Sequence, residues 1–454
     1  MDLKSLFEPR TMAVFGVSAS NYRHPANEIF NKNMLRYPIS VYGVNPRGGT
    51  INSQSIHRSI AEVPERIDLA VIAVRADLVP EVMTECIRAK VRSAVVISGG
   101  FTEVGRGDLQ ERIVAIAKEA AFPFIGPNCL GIYVPSRVDT FFLPGERMVN
   151  PIIGNVSFVS QSGGILVDQM IKFTNEGVGL AKAISIGNKA LLGELDLLDY
   201  FAADPATKVI AFYIEGFGEN EGREFVLKAG ECGKPVVVLK SGKSPGGSKA
   251  VSSHTASLAG DYASFSAVLS QFNIIEAANE LELISFCESL STYAKPIEGR
   301  IGIVTVSGGH GAIAVDACTA RGLSVPGLPD NVREELRKNL SPSVQDIAAL
   351  TNPVDLTGSG IDEDFVATVK SFCAMENIDC VLALLLPYIP GITSDLGAKL
   401  GGIARQCGTP LIAYVPNVEK YAMLIEGFTL NGSPVAHSIE GAVLMADALR
   451  RNRP

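Results

Sequence analysis

The sequence predicts an α/β protein built on parallel sheets, with about three domains in series. Three observations predict it. In the first third, short continuously apolar runs alternate with amphipathic stretches. A strand–turn–helix segment recurs 145 residues downstream of itself, at Gly154 and again at Gly299. The length, 454 residues, corresponds to about three cores at roughly 150 residues per domain.

The first domain rests on five apolar runs: Thr11–Gly16, Ser40–Val44, Leu69–Val74, Ala94–Ile97 and Phe122–Ile125. Helical patterns lie between them, such as Leu78–Lys90 and Asp108–Ala120. Apolar strands that alternate with helices form a parallel sheet covered on both faces, a Rossmann-like unit. Such sheets bind ligands at the carboxyl ends of their strands. Here those ends are small and polar: Gly16, Ser18 and Ser20; Asn45, Pro46 and Arg47; Val74 and Arg75; Ser98 and Gly99; and Gly126-Pro127-Asn128-Cys129-Leu130-Gly131. No GxGxxG follows the first strand, and no acid ends the second, so a ribose-gripping carboxylate is missing. Arg47 and Arg75 suit a phosphorylated ligand better. Any one of these loops could simply turn the chain; all five share the same character.

The middle and last domains come from the repeat. Gly154–Gly164 reads GNVSFVSQSGG and Gly299–Gly309 reads GRIGIVTVSGG, each followed by a helical pattern, Ile165–Phe173 or Ala312–Arg321. Two homologous α/β domains are the simple explanation. The expected division is 1–145, 146–296 and 297–454, with joints near Pro144–Pro151 and Lys295–Gly299. Each Ser-Gly-Gly turn opens a helix, and its free N–H groups and positive end favour an anion. Glycine there is expected to supply positive φ values for an anion nest. The candidate phosphate-binding residues are Ser160, Ser162, Gly163 and Gly164 in the first turn, and Ser307, Gly308, Gly309 and His310 in the second.

Composition bounds the function. Hydrophobic residues make up 47% and charged residues 19%, which excludes a disordered or fibrous chain. A net charge of -8 argues against a nucleic-acid partner, which calls for a basic face. No apolar run approaches the roughly 20 residues needed to cross a bilayer, so no membrane is expected. The start, MDLKSLFEPR, lacks the apolar segment of a signal peptide, and the chain reads as cytoplasmic. Eight cysteines without a CxxC pair read as reduced thiols in or near cores, and no metal site is expected.

Of five histidines, His254 alone lies in a run built for mobility, Ser241–Gly260, which reads SGKSPGGSKAVSSHTASLAG. His310 either donates to an anion or only caps its helix. His24, His57 and His437 read as surface or core residues. Glu215 ends the apolar run Val209–Ile214. An acid placed so can bond one imidazole nitrogen and leave the other nucleophilic, or it can be a solvated strand-end glutamate.

These motifs together resemble the CoA-binding, or alpha, subunit of the nucleoside-diphosphate-forming acyl-CoA synthetases, most closely the ADP-forming acetyl-CoA type. The resemblance spans essentially the whole chain. It rests on Gly126–Gly131, on Ser160-Gln161-Ser162-Gly163-Gly164, and on Ser253-His254-Thr255 followed by Leu258-Ala259-Gly260. It implies a Rossmann-like CoA-binding domain followed by two flavodoxin-like doubly wound domains. It also implies a ligase that interconverts carboxylic acid, CoA and ATP with acyl-CoA, ADP and phosphate. Phosphate attacks acyl-CoA to give an acyl phosphate; the phosphoryl group passes to His254, oriented by Glu215, and then to ADP. Both Ser-Gly-Gly helix ends would hold the phosphohistidine. CoA would contact Gly16, Ser18, Ser20, Asn45, Pro46, Arg47, Val74 and Ser98, with Asn128 and Cys129 near the thioester. The chain departs from the family at Asn21–Phe30 (NYRHPANEIF), where glycine is usual. With no ATP-grasp segment in the sequence, Mg-ATP or Mg-ADP is expected on a separate ATP-grasp beta subunit, in an α2β2 assembly. Two other classes share the scaffold: a CoA or acyl-CoA sensor without turnover, and an acyl or carbamoyl transferase. A sensor has no use for a phosphocarrier histidine, and a transferase would survive its loss.

Overall fold

The apolar runs of the first third become the parallel strands β1 (Thr11–Phe15), β2 (Ser40–Val44), β5 (Leu69–Ile72), β6 (Ser93–Val96) and β7 (Phe124–Ile125). A hairpin, β3 (Gly49–Ile51) and β4 (Gln54–His57), adds two strands that periodicity did not predict. The order is β3-β4-β2-β1-β5-β6-β7. The strand β1 is buried along its whole length, as a central parallel strand must be. The computed structural model describes residues 3–252 and 262–453.

A second sheet contains β8 (Gly131–Val134), β9 (Val138–Asp139), β10 (Ile153–Ser160), β11 (Leu180–Ser185), β12 (Val209–Ile214), β13 (Val236–Lys240) and β14 (Ile275–Ala277). Its order is β14-β13-β12-β10-β11-β8-β9. The hairpin β8–β9 pairs antiparallel with β11, although the sequence division puts residues 131–139 in the first domain. The physical reason is edge protection: without it, β11 would present unpaired backbone groups. A buried ion pair secures the hairpin. Lys32 Nζ, on the helix Pro25–Arg36, lies 2.8 Å from Asp139 Oδ2 and donates to the Phe141 carbonyl at 2.6 Å.

The chain separates into two compact units, Met1–Ala278 and Asn279–Pro454. The first unit carries both sheets described above. The second unit carries β15 (Ile301–Thr305), β16 (Ala349–Leu350), β17 (Val354–Asp355), β18 (Cys380–Leu384), β19 (Leu411–Tyr414) and β20 (Val435–Ala436), in the order β16-β17-β15-β18-β19-β20. It begins earlier than residue 297. The helix Glu280–Thr292 belongs to it, and every residue from Glu282 to Leu290 is buried in that unit. Among the described residues, no helix is long and apolar enough to cross a membrane.

Candidate active site

In each sheet there is one strand from which the chain builds outward in both directions, and the crevice beyond its carboxyl end is where open α/β sheets bind ligands. Those strands are β1, β10 and β15. The three turns singled out in sequence follow them directly.

After β1 the backbone needs glycine. Gly16 has φ +102°, and its amide donates to the Val44 carbonyl at 2.9 Å. Beyond it, Ser18 N donates to Asn27 Oδ1 at 2.8 Å, and Ser18 Oγ accepts from Asn21 N at 3.0 Å, with Ser20 Oγ 3.4 Å away. Asn45 Nδ2 donates to the Val17 carbonyl at 2.9 Å while its Oδ1 accepts from Arg47 N at 3.0 Å, so this asparagine braces both loops. Pro46 and Arg47 are exposed. Ser98 is buried and donates to the Val74 carbonyl at 2.5 Å. Asn128 adopts φ +57°, and its amide donates to the Ser98 carbonyl at 2.9 Å.

These loops meet the edge of the second sheet in a cleft of about 680 Å³ within the first unit. Its walls include Val74, Ser98, Asn128 and Cys129 from one side, and Ser162, Gly163 and Glu215 from the other. Gly16, Ser18, Ser20, Asn45, Pro46, Arg47, Ser160 and Gly164 do not line it. His24, read as a surface or core residue, does. Its Nδ1 accepts from Ala26 N at 3.2 Å, capping the helix Pro25–Arg36, and burial pushes its pKa down. Cys129 is buried, and its thiol donates to the Val96 carbonyl at 3.3 Å; burial pushes its pKa far up, which disfavours a thiolate. The two edges are fastened at Asn188, whose amide donates to the Pro127 carbonyl at 2.9 Å and whose Oδ1 accepts from Asn128 Nδ2 at 3.2 Å.

The first Ser-Gly-Gly turn opens the helix Gly163–Asn175. Ser162 is its cap, and its hydroxyl oxygen accepts from Ile165 N at 3.4 Å. Ser160 is fully buried, donates to the Ser162 carbonyl at 2.6 Å and accepts from Ser162 N at 3.1 Å. A hydroxyl has one proton, so Ser160 braces the turn and has none left for a phosphate. The second turn repeats the device. Thr305 Oγ1 donates to the Ser307 carbonyl at 3.3 Å and accepts from Ser307 N at 3.1 Å, ahead of the helix Gly308–Ala320. Gly309 occupies its first turn, and His310 Nδ1 lies 3.0 Å from Ser307 Oγ, so this ring engages the cap. One expectation fails in both turns. Gly163, Gly164, Gly308 and Gly309 are absent from the positive-φ glycines; they are helical residues. These sites are helix ends, and the space beside Gly164 is open: a Cβ there would meet nothing within 4 Å.

Glu215 stands just past β12, half-buried. Its amide donates to Gln161 Oε1 at 2.6 Å, and its carbonyl accepts from Lys240 Nζ at 2.6 Å. Burial pushes the Lys240 pKa down, with the Glu215 charge opposing it. The sequence alone does not mark Gln161, Lys189, Glu194 and Lys240 as site residues; Gln161 falls inside the Ser160–Gly164 motif, and nothing local distinguishes the other three. His254 lies outside the described residues. Among those described, no group of His, Cys, Asp or Glu could hold a metal.

Three family models match the chain in succession: a CoA binding domain over 10–135, a succinyl-CoA ligase like flavodoxin domain over 153–290, and a Ligase-CoA domain over 301–396. The alpha subunit of ADP-forming acetate–CoA ligase II from Pyrococcus furiosus is 35% identical over 98% of this chain and 97% of its own. ADP-forming acetate–CoA ligase I from Archaeoglobus fulgidus is 38% identical over 85% of this chain, which spans 55% of that longer protein. Among solved structures, the dinucleotide-forming acetyl-coenzyme A synthetase 1 of Ca. Korarchaeum cryptofilum, in complex with phosphate and ADP, has a TM-score of 0.88 at 29% identity. That likeness covers 99% of this chain and 96% of the other.

Proposed function

We propose, from the premise that this chain belongs to the family of ADP-forming acetate–CoA ligase alpha subunits, that it is the phosphocarrier subunit of an acid–CoA ligase. CoA binds along the carboxyl edge of the first sheet. Phosphate attacks the thioester carbonyl of acyl-CoA, CoA leaves as the thiol, and an acyl phosphate remains. His254 takes the phosphoryl group and releases the carboxylic acid. Phosphohistidine then passes the group to ADP on an ATP-grasp beta subunit, in an α2β2 assembly in the cytoplasm. The reverse direction makes acyl-CoA from acid, CoA and ATP.

One observation carries the reading. A single cleft gathers Val74, Ser98, Asn128 and Cys129 with the helix end at Ser162–Gly163 and with Glu215. A thioester from one side and an anion on the other could meet there, with Glu215 at hand to orient an imidazole. A helix end stabilises the dianionic phosphohistidine through its free N–H groups and dipole. The turn at Ser307–His310 opens a helix of the same construction within the second unit. The naming of the Pyrococcus relatives as alpha subunits supports a separate partner.

The test is to purify the chain with its ATP-grasp partner, add Mg-ATP, and map acid-labile phosphate by peptide mass spectrometry. Label on His254 is expected. No label with a competent partner would overturn the phosphocarrier assignment in favour of a CoA sensor or a transferase.

A further inference from the structure

We propose that Gln161 is the positioning residue for Glu215, tying the reach of that carboxylate to the helix end at Ser162–Gly163. The inference rests on the reading of Glu215 as the group that orients His254. Gln161 sits between Ser160 and Ser162, and its side chain is largely buried at the wall of the cleft. Its Oε1 accepts two backbone protons, from Glu215 N at 2.6 Å and from Gly216 N at 3.0 Å. Its Nε2 donates to the Gly216 carbonyl at 2.7 Å and to the Glu194 carboxylate. Only one orientation of the amide satisfies this set, because two neighbours are donors and two are acceptors.

The geometry explains why a side chain is needed. β12 ends at Ile214, so residues 215 and 216 have left the regular ladder. Gln161 takes the place of the missing strand partner. Glu194 holds the amide in its orientation: it is almost fully buried, and Lys189 Nζ lies 3.2 Å from its carboxylate. Lys189 Nζ also donates to the Gly216 carbonyl at 3.2 Å, and Lys240 holds the Glu215 carbonyl from the other side. The peptide bearing the carboxylate is therefore gripped at N–H and C=O by buried groups. Gln161 also borders the cleft, and its role is assigned through Glu215, whose backbone it binds.

The test uses the full chain with its partner subunit and follows phosphoryl uptake on His254 from acetyl phosphate, by quench and mass spectrometry. Gln161→Met keeps the volume and removes all four bonds. It is expected to slow uptake by about 10- to 100-fold, the scale of a displacement near 1 Å, while CoA affinity changes less than about two-fold. The decisive variant is Gln161→Met with Glu215→Gln. It should be no slower than Glu215→Gln alone, because the two changes remove one function. Multiplying effects, or full-rate uptake in Gln161→Met, would overturn the inference. Should Glu215→Gln itself run at full rate, the reading of Glu215 falls first, and that outcome is separate. If Gln161→Met does not fold, Glu194→Gln frees the amide to turn. It should slow uptake by about 3- to 10-fold, again without adding to Glu215→Gln; a full rate there would overturn the inference equally.

Discussion

Gly16 and Ala73 approach so closely that a Cβ on Gly16 would lie 2.4 Å from the Ala73 carbonyl oxygen. The contact is backbone against backbone, and Gly16 also has φ +102°, so neither partner can give way cheaply. Gly16→Ala should cost about 1–3 kcal/mol of strain, lower the melting temperature, and weaken CoA binding, since Ala73 lines the cleft. Calorimetry with a CoA titration checks it; an unchanged transition would show that the turn is not constrained.

Gly164 gives the opposite prediction. A Cβ there meets nothing within 4 Å, and alanine is better than glycine in a helix by about 1 kcal/mol. Gly164→Ala should leave thermal stability equal or higher. Phosphoryl uptake on His254 should still fall about 10-fold or more, because the methyl obstructs an anion at the helix end. Uptake at the normal rate would remove Gly164 from the phosphate site.

Glu215→Gln should slow phosphorylation of His254 by about 100-fold or more without altering the unfolding transition, and His254→Ala should abolish it. Single-turnover measurements with Mg-ATP and the partner subunit separate this from a folding defect.

Cys129 should resist alkylation. Its burial pushes the thiol pKa far up, whereas Cys407 is exposed. Iodoacetamide at pH 8, followed by peptide mapping, should label Cys407 and spare Cys129. Prompt labelling of Cys129 would mean that this wall of the cleft opens readily.

Asp204 should give a pH-dependent stability term. Its carboxylate lies 2.6 Å from Lys182 Nζ, and both side chains are less than a tenth exposed. Burial pushes the Asp204 carboxyl up, but hydrogen bonds from Lys182 and Thr207 outweigh it and hold it below the usual carboxylate range. The folded pKa is thus below the unfolded one. The stabilisation is full above the unfolded value, near pH 4, and is lost as pH falls through the folded value. Asp204→Asn should destabilise the protein by about 1–2 kcal/mol at pH 7, since the amide keeps a hydrogen bond to Lys182 but not the opposite charge. Urea unfolding should show that difference shrinking in acid; a constant difference would refute the assignment.

The strands, the helices that follow them and the two Ser-Gly-Gly turns were legible in the sequence because each is a local pattern. Val209–Ile214 is apolar over the span that becomes β12, and Ser162 and Ser307 stand at the N-cap positions of the helices their motifs announce. Even the 145-residue repeat carries through to bonding, in the matched braces Ser160–Ser162 and Thr305–Ser307. What tertiary structure decided is everything that depends on distant segments meeting. It moved Gly131–Asp139 to the second sheet, because the free edge of β11 needed covering, and Glu280–Thr292 to the last unit. It made the turn glycines helical. It also brought Gln161 under Glu215, 54 positions away, since a buried amide bonds whichever backbone groups the packed sheet leaves unpaired.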